Sequence, residues 1–346
     1  MHQKIDDELK LDFNDVLIKP KASDKPLTRK DVTINVDYGD FKGFPLIIAN
    51  MLSIGTYNIA NVMADHGIPV FLHKEYTLEE HLANWQTLKK PHLAGVTSGV
   101  QPWDKKKTVQ LCQQVTPGFI NVDIANTYAN VQGMCETLAL YKQEFPNIKL
   151  VAGNVCDVQT IDKFVEAGAD IIKIGVGPGA ACKTRSEVGV GIPQLSAVLQ
   201  IAEYCKNIGV RCIADGGCVT SGDVCKAFAA GADYVMIGGM VSGSQECDNI
   251  VEIDNKQYVN FFGLGSNKQY ELTKPSQQEY RPNEGRNLLV PVTGSIVDVT
   301  NQIKGAVRSV CTYTGIDDIK DLYHQSTFIR VNHQINKSLA KYDIGK

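Results

Sequence analysis

Residues 166–185 read "EAGADIIKIGVGPGAACKTR". The stretch gives the end of an amphipathic helix, a Gly-Ala-Asp turn, a run of β-branched residues, and a loop with almost no side-chain bulk until Cys182. The same phrase returns at 229–239 as "AAGADYVMIGG", so one architectural unit is repeated. Working outward, apolar runs of strand length recur at "FPLIIANM" (44–51), "IPVFLH" (68–73), "LAGVTSG" (93–99), "FINVDIAN" (119–126), "KLVAGNV" (149–155), "IIKIGVG" (171–177), "VRCIADGG" (210–217) and "YVMIGGM" (234–240). Between them lie helical patterns such as "DKFVEAG" (162–168) and "LSAVLQIAEYCKNIG" (195–209), with apolar residues three and four apart and a closing glycine. Continuous Val/Ile runs joined by helices indicate a parallel sheet buried on both faces, and eight such units predict a (β/α)8 TIM barrel spanning residues 1–346 as one domain. A doubly wound sheet is the competing reading. Its dinucleotide signature needs G-x-G-x-x-G opening a helix after an early strand, whereas "GVGPGAA" (175–181) has proline after its second glycine and follows the sixth strand.

At 346 residues, 43% hydrophobic and 21% charged with net charge −3, the chain has an ordinary globular composition and no basic footprint for nucleic acid. "DKKKT" (104–108) reads as a solvated helix start. The opening "MHQKIDDELKLDF" lacks an apolar signal core, and no apolar run approaches the ~18 residues of a membrane span, so a cytoplasmic protein without a membrane partner is expected. Ten cysteines lie far apart with no C-x-x-C pair, which points to reduced thiols; Cys212 and Cys225 read as small buried hydrophobes.

Barrel chemistry sits at the C-terminal ends of the strands. The residues there are Asn50 and Met51, His73 and Lys74, Asp123 and Asn126, Asn154, the 177–182 loop, Asp215-Gly216-Gly217 and Gly238-Gly239. "GPGA", "DGG" and "IGG" close the last three strands, and backbone amides bared by small residues predict a phosphate nest. Asp215 beside that nest is placed to accept hydrogen bonds from the two neighbouring hydroxyls of a ribose, a helix N-cap being its other reading. A nucleotide is the implied ligand. Cys182 is read as a nucleophile, whose reference pKa of ~8.5 leaves only a few per cent thiolate at neutral pH without help from its surroundings. Residues 241–296, turn-rich and polar before the helix "VDVTNQIKGAVRSVCTYTG", form a connection long enough to predict an active-site flap.

A series of segments, "KLDFNDVLIKP" (10–20), "IIANM" (47–51), "HKEY" (73–76), "VDIAN" (122–126), "AGNV" (152–155), "GADIIKIGVGPGAACKTR" (168–185), "GVGIPQLSAV" (189–198), "DGGCVTSGDVCKAF" (215–228), "EYRPNEGR" (279–286) and "STFIRV" (326–331), resembles the family of inosine monophosphate dehydrogenases and guanosine monophosphate reductases over nearly the whole chain. The reductase branch is favoured because strand two passes straight to strand three with no inserted CBS regulatory domain, and because "EYRPNEGRN" lacks the Arg-Tyr dyad with which dehydrogenases activate water. The resemblance implies NADPH-dependent reductive deamination of GMP to IMP through a covalent cysteine thioimidate. It assigns Cys182, Thr184 and Glu284 to catalysis, with Met51, Asp215, Gly217, Gly238, Gly239, Leu264, Gly265 and Arg281 on the substrate and Lys74, Asp123, Asn126 and Thr127 on the cofactor. It further implies a homotetramer and a potassium ion held by carbonyls at Gly177, Gly179 and Cys182. Departures at Leu52, Thr127, Ala180, Lys183 and Leu264 keep open a modified purine nucleotide or another cofactor preference. An IMP dehydrogenase-like activity and a non-catalytic nucleotide-binding regulator are the remaining alternatives.

Overall fold

The structure is a computed structural model describing residues 5–24, 26–263, 266 and 283–332. Each predicted apolar run contributes one strand: β1 (Leu46–Ile48), β2 (Val70–Leu72), β3 (Ala94–Ser98), β4 (Phe119–Asp123), β5 (Lys149–Val155), β6 (Ile171–Ile174), β7 (Arg211–Asp215) and β8 (Tyr234–Ile237). All pair in parallel, and β8 returns to β1 with Val235 opposite Leu46 and Ile237 opposite Ile48, closing an eight-stranded barrel. A closed parallel sheet has no exposed edge, and its strands bury both faces, which is why they carry almost unbroken apolar sequence.

The helices that follow the barrel strands are α1 (Tyr57–Ala64), α2 (Leu78–Trp85), α3 (Pro102–Cys112), α4 (Val131–Glu144), α5 (Ile161–Glu166), α6 (Gln194–Asn207), α7 (Ser221–Ala229) and α8 (Ile296–Thr314), with a further short helix at Leu322–Gln325. Their starts are written locally. Thr77 and Thr220 form reciprocal capping boxes with Glu80 and Asp223, and Ser295 caps α8. Each such cap is worth ~1 kcal/mol. Among the described residues no helix is long and apolar enough to cross a membrane.

Inside the barrel, side chains change character with height. At the N-terminal end Arg211 hydrogen-bonds Asp40 and Tyr234, and lies over the Tyr38 ring 5.1 Å from its centroid. Above this plug, Phe71 and Phe119 meet across the interior with centroids 5.4 Å apart. The uppermost layer is polar: Asn50, Thr97, Asn121, Asp123, Lys173 and Asp215, held in a wall of buried isoleucine and valine.

The connection after β8 contains a structure that periodicity did not predict. Strands β9 (Ile250–Ile253), β10 (Lys256–Phe262) and β11 (Asn287–Pro291) form an antiparallel sheet. Asp254 and Asn255, both with positive φ (50° and 59°), make the two-residue turn between β9 and β10. The signal was present in "KQYVNFF", where Val259 and Phe261 are buried and Tyr258 and Asn260 are less so. Near the chain ends, Val16–Ile18 pairs antiparallel with Phe328–Arg330.

Candidate active site

The loop after β6 is shaped by what surrounds it. A Cβ at Gly175 would fall 2.2 Å from the Asp215 carbonyl oxygen, so only glycine lets the chain pass under the end of β7. The loop delivers Cys182 half-exposed, whereas seven of the other cysteines are buried. Burial pushes the thiols of Cys112, Cys225 and Cys311 up to about 12, so those thiols stay protonated and unreactive at neutral pH.

Cys182 Sγ donates to Thr184 Oγ1 at 3.2 Å, and Thr184 Oγ1 donates to Glu284 Oε2 at 2.8 Å. Thiol, hydroxyl and carboxylate thus form one continuous hydrogen-bonded chain across a hundred residues of sequence. The backbone fixes it. Lys183 N donates to Glu284 O at 2.6 Å, Arg286 N donates to Ala181 O at 2.8 Å, and Cys182 faces Gly285 as an antiparallel bridge. Sheet strands β10 and β11 bring this segment in: Gly263 N donates to Arg286 O, and a Cβ on Gly263 would lie 2.4 Å from the Ala181 carbonyl oxygen.

On its other side the cysteine loop is tied to the N-terminal segment. Arg185, in a π-helical turn at Thr184–Val188, donates to both carboxylate oxygens of Asp12 at 2.7 and 3.4 Å and to the Ile192 carbonyl at 2.7 Å. Asp12 also accepts from the Gln194 amide at the start of α6. Lys183, whose charge would be welcome near a phosphate, lies 3.7 Å from Glu187 instead.

The small residues after β6, β7 and β8 converge. A Cβ on Gly216 would stand 3.2 Å from the Gly179 nitrogen, one on Gly239 would stand 2.9 Å from Ala180 Cβ, and one on Gly238 would stand 3.2 Å from Met51 Sδ. Gly216 and Gly217 both hold φ of +84°, a conformation that favours glycine at each position. The result is a close-packed rim of backbone flanked by Met51.

Beneath the rim is an ionic layer in which the expected Asp123 and Asp215 are joined by Lys173, the member that sequence reading missed. Lys173, 1% exposed, places its ammonium 3.2 Å from Asp215 Oδ2 and 3.4 Å from Asp123 Oδ2. Asn154 donates to Asp215 at 2.8 Å and Asn50 to Asp123 at 2.7 Å. Burial works against ionisation of Asp123, but Lys173, the Asn50 amide and the charge of Lys74 hold its carboxyl below the ordinary value. Burial likewise opposes the charge of Lys173, and the two carboxylates outweigh it, raising the ammonium above the usual lysine value. The available signal was a lone lysine in an otherwise apolar strand, since lysine is almost never fully buried unless paired.

A family model described as IMP dehydrogenase / GMP reductase domain matches residues 10–338. The chain belongs to the IMP dehydrogenase/GMP reductase family. Among curated members of that family, the GMP reductase of Vibrio atlanticus (strain LGP32) is 39% identical over 350 residues, covering 98% of this chain and 99% of the relative. The GMP reductase of Aliivibrio fischeri (strain MJ11) is 38% identical over 351 residues with the same coverage, and that of Ascaris suum 35% over 353 residues, covering 99% and 98%. The cofactor-side residues expected from the family lie at the ends of β2 and β4. Asn126 is exposed, with its side-chain oxygen accepting from Ala129 N, while Thr127 is fully buried and donates its hydroxyl to the Asn154 carbonyl at 2.7 Å. Leu264, Gly265 and Arg281, expected on the substrate side, lie outside the described residues.

Proposed function

We propose that this chain is a GMP reductase that converts GMP and NADPH to IMP, ammonia and NADP⁺. The observation that carries the reading is the Cys182–Thr184–Glu284 hydrogen-bonded chain beside a glycine-lined rim and the half-buried carboxylate of Asp215. In this reading the rim amides at Gly217, Gly238 and Gly239 take the nucleotide phosphate, Asp215 takes the ribose diol, and Met51 lies against the base.

The thiolate of Cys182 adds to carbon 2 of guanine. The bond from carbon 2 to the amino nitrogen breaks as that nitrogen takes a proton relayed by Thr184 from Glu284, and ammonia leaves. A thioimidate between Cys182 and the purine remains, and its carbon 2 is the centre that accepts hydride; NADPH supplies that hydride when bound. Breaking the carbon–sulfur bond then releases IMP and restores the thiolate. Splitting a difficult displacement into two steps is what a covalent nucleophile provides, and Thr184 with Glu284 performs general acid/base work.

The residues that would hold the nicotinamide cofactor are Lys74, Asp123 and Asn126, with Thr127 shaping the loop from within. The ionised Asp123, the neighbouring charge of Lys74 and the exposed Asn126 amide fit a polar, hydroxyl-rich cofactor. In the same reading the carbonyls of Gly177, Gly179 and Cys182 hold potassium, and four copies assemble. The directly opposed, exposed pair Leu17 and Ile329 supports burial against a neighbour. The decisive assay mixes protein, GMP and NADPH, following loss of the reduced-nicotinamide absorbance together with ammonia. Absorbance loss without ammonia overturns the reading. Equal rates in sodium-only and potassium-only buffer overturn the cation, and a monomer in sedimentation at micromolar concentration overturns the tetramer.

A further inference from the structure

Three consecutive lysines, 105–107, follow Asp104 near the start of α3. Such a run has the look of a solvated helix face, and Lys106 is exposed. Lys107 behaves differently. One turn before the buried Leu111, it edges the face of α3 that carries buried Thr108 and Cys112, and its stem lies half-buried along it. Its ammonium reaches the top of the neighbouring strand, donating to the carbonyl of Lys74 and, at 2.8 Å, to the carbonyl of Tyr76.

Those two carbonyls belong to the turn that follows β2. The turn is gripped from its other side as well. The His73 ring stacks on Tyr76 with centroids 3.9 Å apart and planes 15° from parallel, Tyr76 meets Tyr57 of α1 edge-on at 5.2 Å, and the Tyr57 hydroxyl is hydrogen-bonded to His81 of α2 at 2.6 Å. Three helices therefore hold one short turn, and the residue that the turn presents is Lys74, whose charge acts on Asp123. A charged donor shared by two carbonyls is a strong tether, and it is the only one of these grips with a net charge.

We infer that Lys107 is a positioning residue: by clamping the carbonyls of Lys74 and Tyr76 it sets the height and direction of the Lys74 side chain at the end of β2, and so tunes the cofactor half of the site and not the nucleotide half. The inference rests on the reading of Lys74 as a cofactor residue. Lys107→Met leaves both carbonyls without this donor; Lys107→Gln keeps an amide that reaches at least one of them.

The experiment measures cofactor and nucleotide affinity separately, by quenching of reduced-nicotinamide fluorescence and by titration with GMP, alongside steady-state KM and kcat. Lys107→Met is expected to weaken NADPH about 10-fold, within the range that small misplacements of a binding group produce, with the GMP affinity unchanged. Lys107→Gln is expected to recover most of the loss. Because Lys107 acts through Lys74, the double variant Lys74→Met/Lys107→Met should bind NADPH no more weakly than Lys74→Met alone. Additive losses, or equal weakening of GMP and NADPH, overturn the assignment; so does a lowered melting temperature with unchanged NADPH affinity. Wild-type protein that binds NADPH but does not turn over GMP overturns the functional reading instead.

Discussion

Cys182 is one thiol among ten, and its surroundings set it apart. Its position gives it a hydroxyl partner that is itself hydrogen-bonded to a carboxylate. If Glu284 serves the departure of ammonia, Glu284→Gln keeps the shape of the chain but cannot relay the proton, at an expected cost of ~10²- to 10⁴-fold in deamination. Reduction of NADP⁺ by IMP in a single turnover should survive that substitution and vanish in Cys182→Ala. A burst lost as completely in Glu284→Gln as in Cys182→Ala would show that Glu284 is needed to form the thiolate. Local sequence pattern carried Cys182, because a reactive side chain after a loop of glycine and alanine is conspicuous. It did not carry the link to Glu284, a hundred residues away, which came only through resemblance. Lys173 was hidden by its neighbours: a single charge in "IIKIG" does not disturb the strand pattern, and its two carboxylate partners sit on β4 and β7, which no spacing rule connects.

At the scale of elements, the eight barrel strands were legible because each is an apolar run punctuated by glycine or a capping residue, and burial on both faces leaves no room for another composition. The sheet β9–β11 was not. Its strands alternate only weakly, with one face turned to solvent where Val251, Ile253 and Leu289 stand exposed. That sheet is nonetheless what brings Glu284 to the cysteine loop, through the close passage of Gly263 beneath Ala181. Gly263→Ala puts a methyl group 2.4 Å from a backbone oxygen, so one strand must move. We expect a fall of roughly 10- to 100-fold in kcat for deamination, as for other small misalignments of reacting groups, with little loss of melting temperature. A Gly263→Ala enzyme with unchanged kcat would mean that the sheet does not align the acid.

For the molecule as a whole, acid sensitivity follows from two histidines in the wall around β2. Burial, reinforced by the positive charge of Lys107, depresses His73 to about 4 and His81 to about 3, against an ordinary value of 6.5. Both are neutral in the fold, so the unfolded chain binds more protons as the pH drops below ~6.5. Their contribution to stability is complete above that pH and drains away as the pH falls through about 4 for His73 and about 3 for His81. The melting temperature should decline across this window, and less steeply in His81→Asn, which keeps an acceptor for Tyr57 but does not titrate. Parallel pH profiles for wild type and variant would place the acid sensitivity elsewhere.

The pairing of Val16–Ile18 with Phe328–Arg330 has a consequence in time. During synthesis the first of these strands leaves the ribosome roughly 310 residues ahead of its partner, a wait of ~15 to 60 s at ordinary elongation rates. Throughout that wait its backbone donors and acceptors have no ladder to join. Val16–Ile18 therefore stands open to any other passing edge, including the same strand of a neighbouring nascent chain on one polysome.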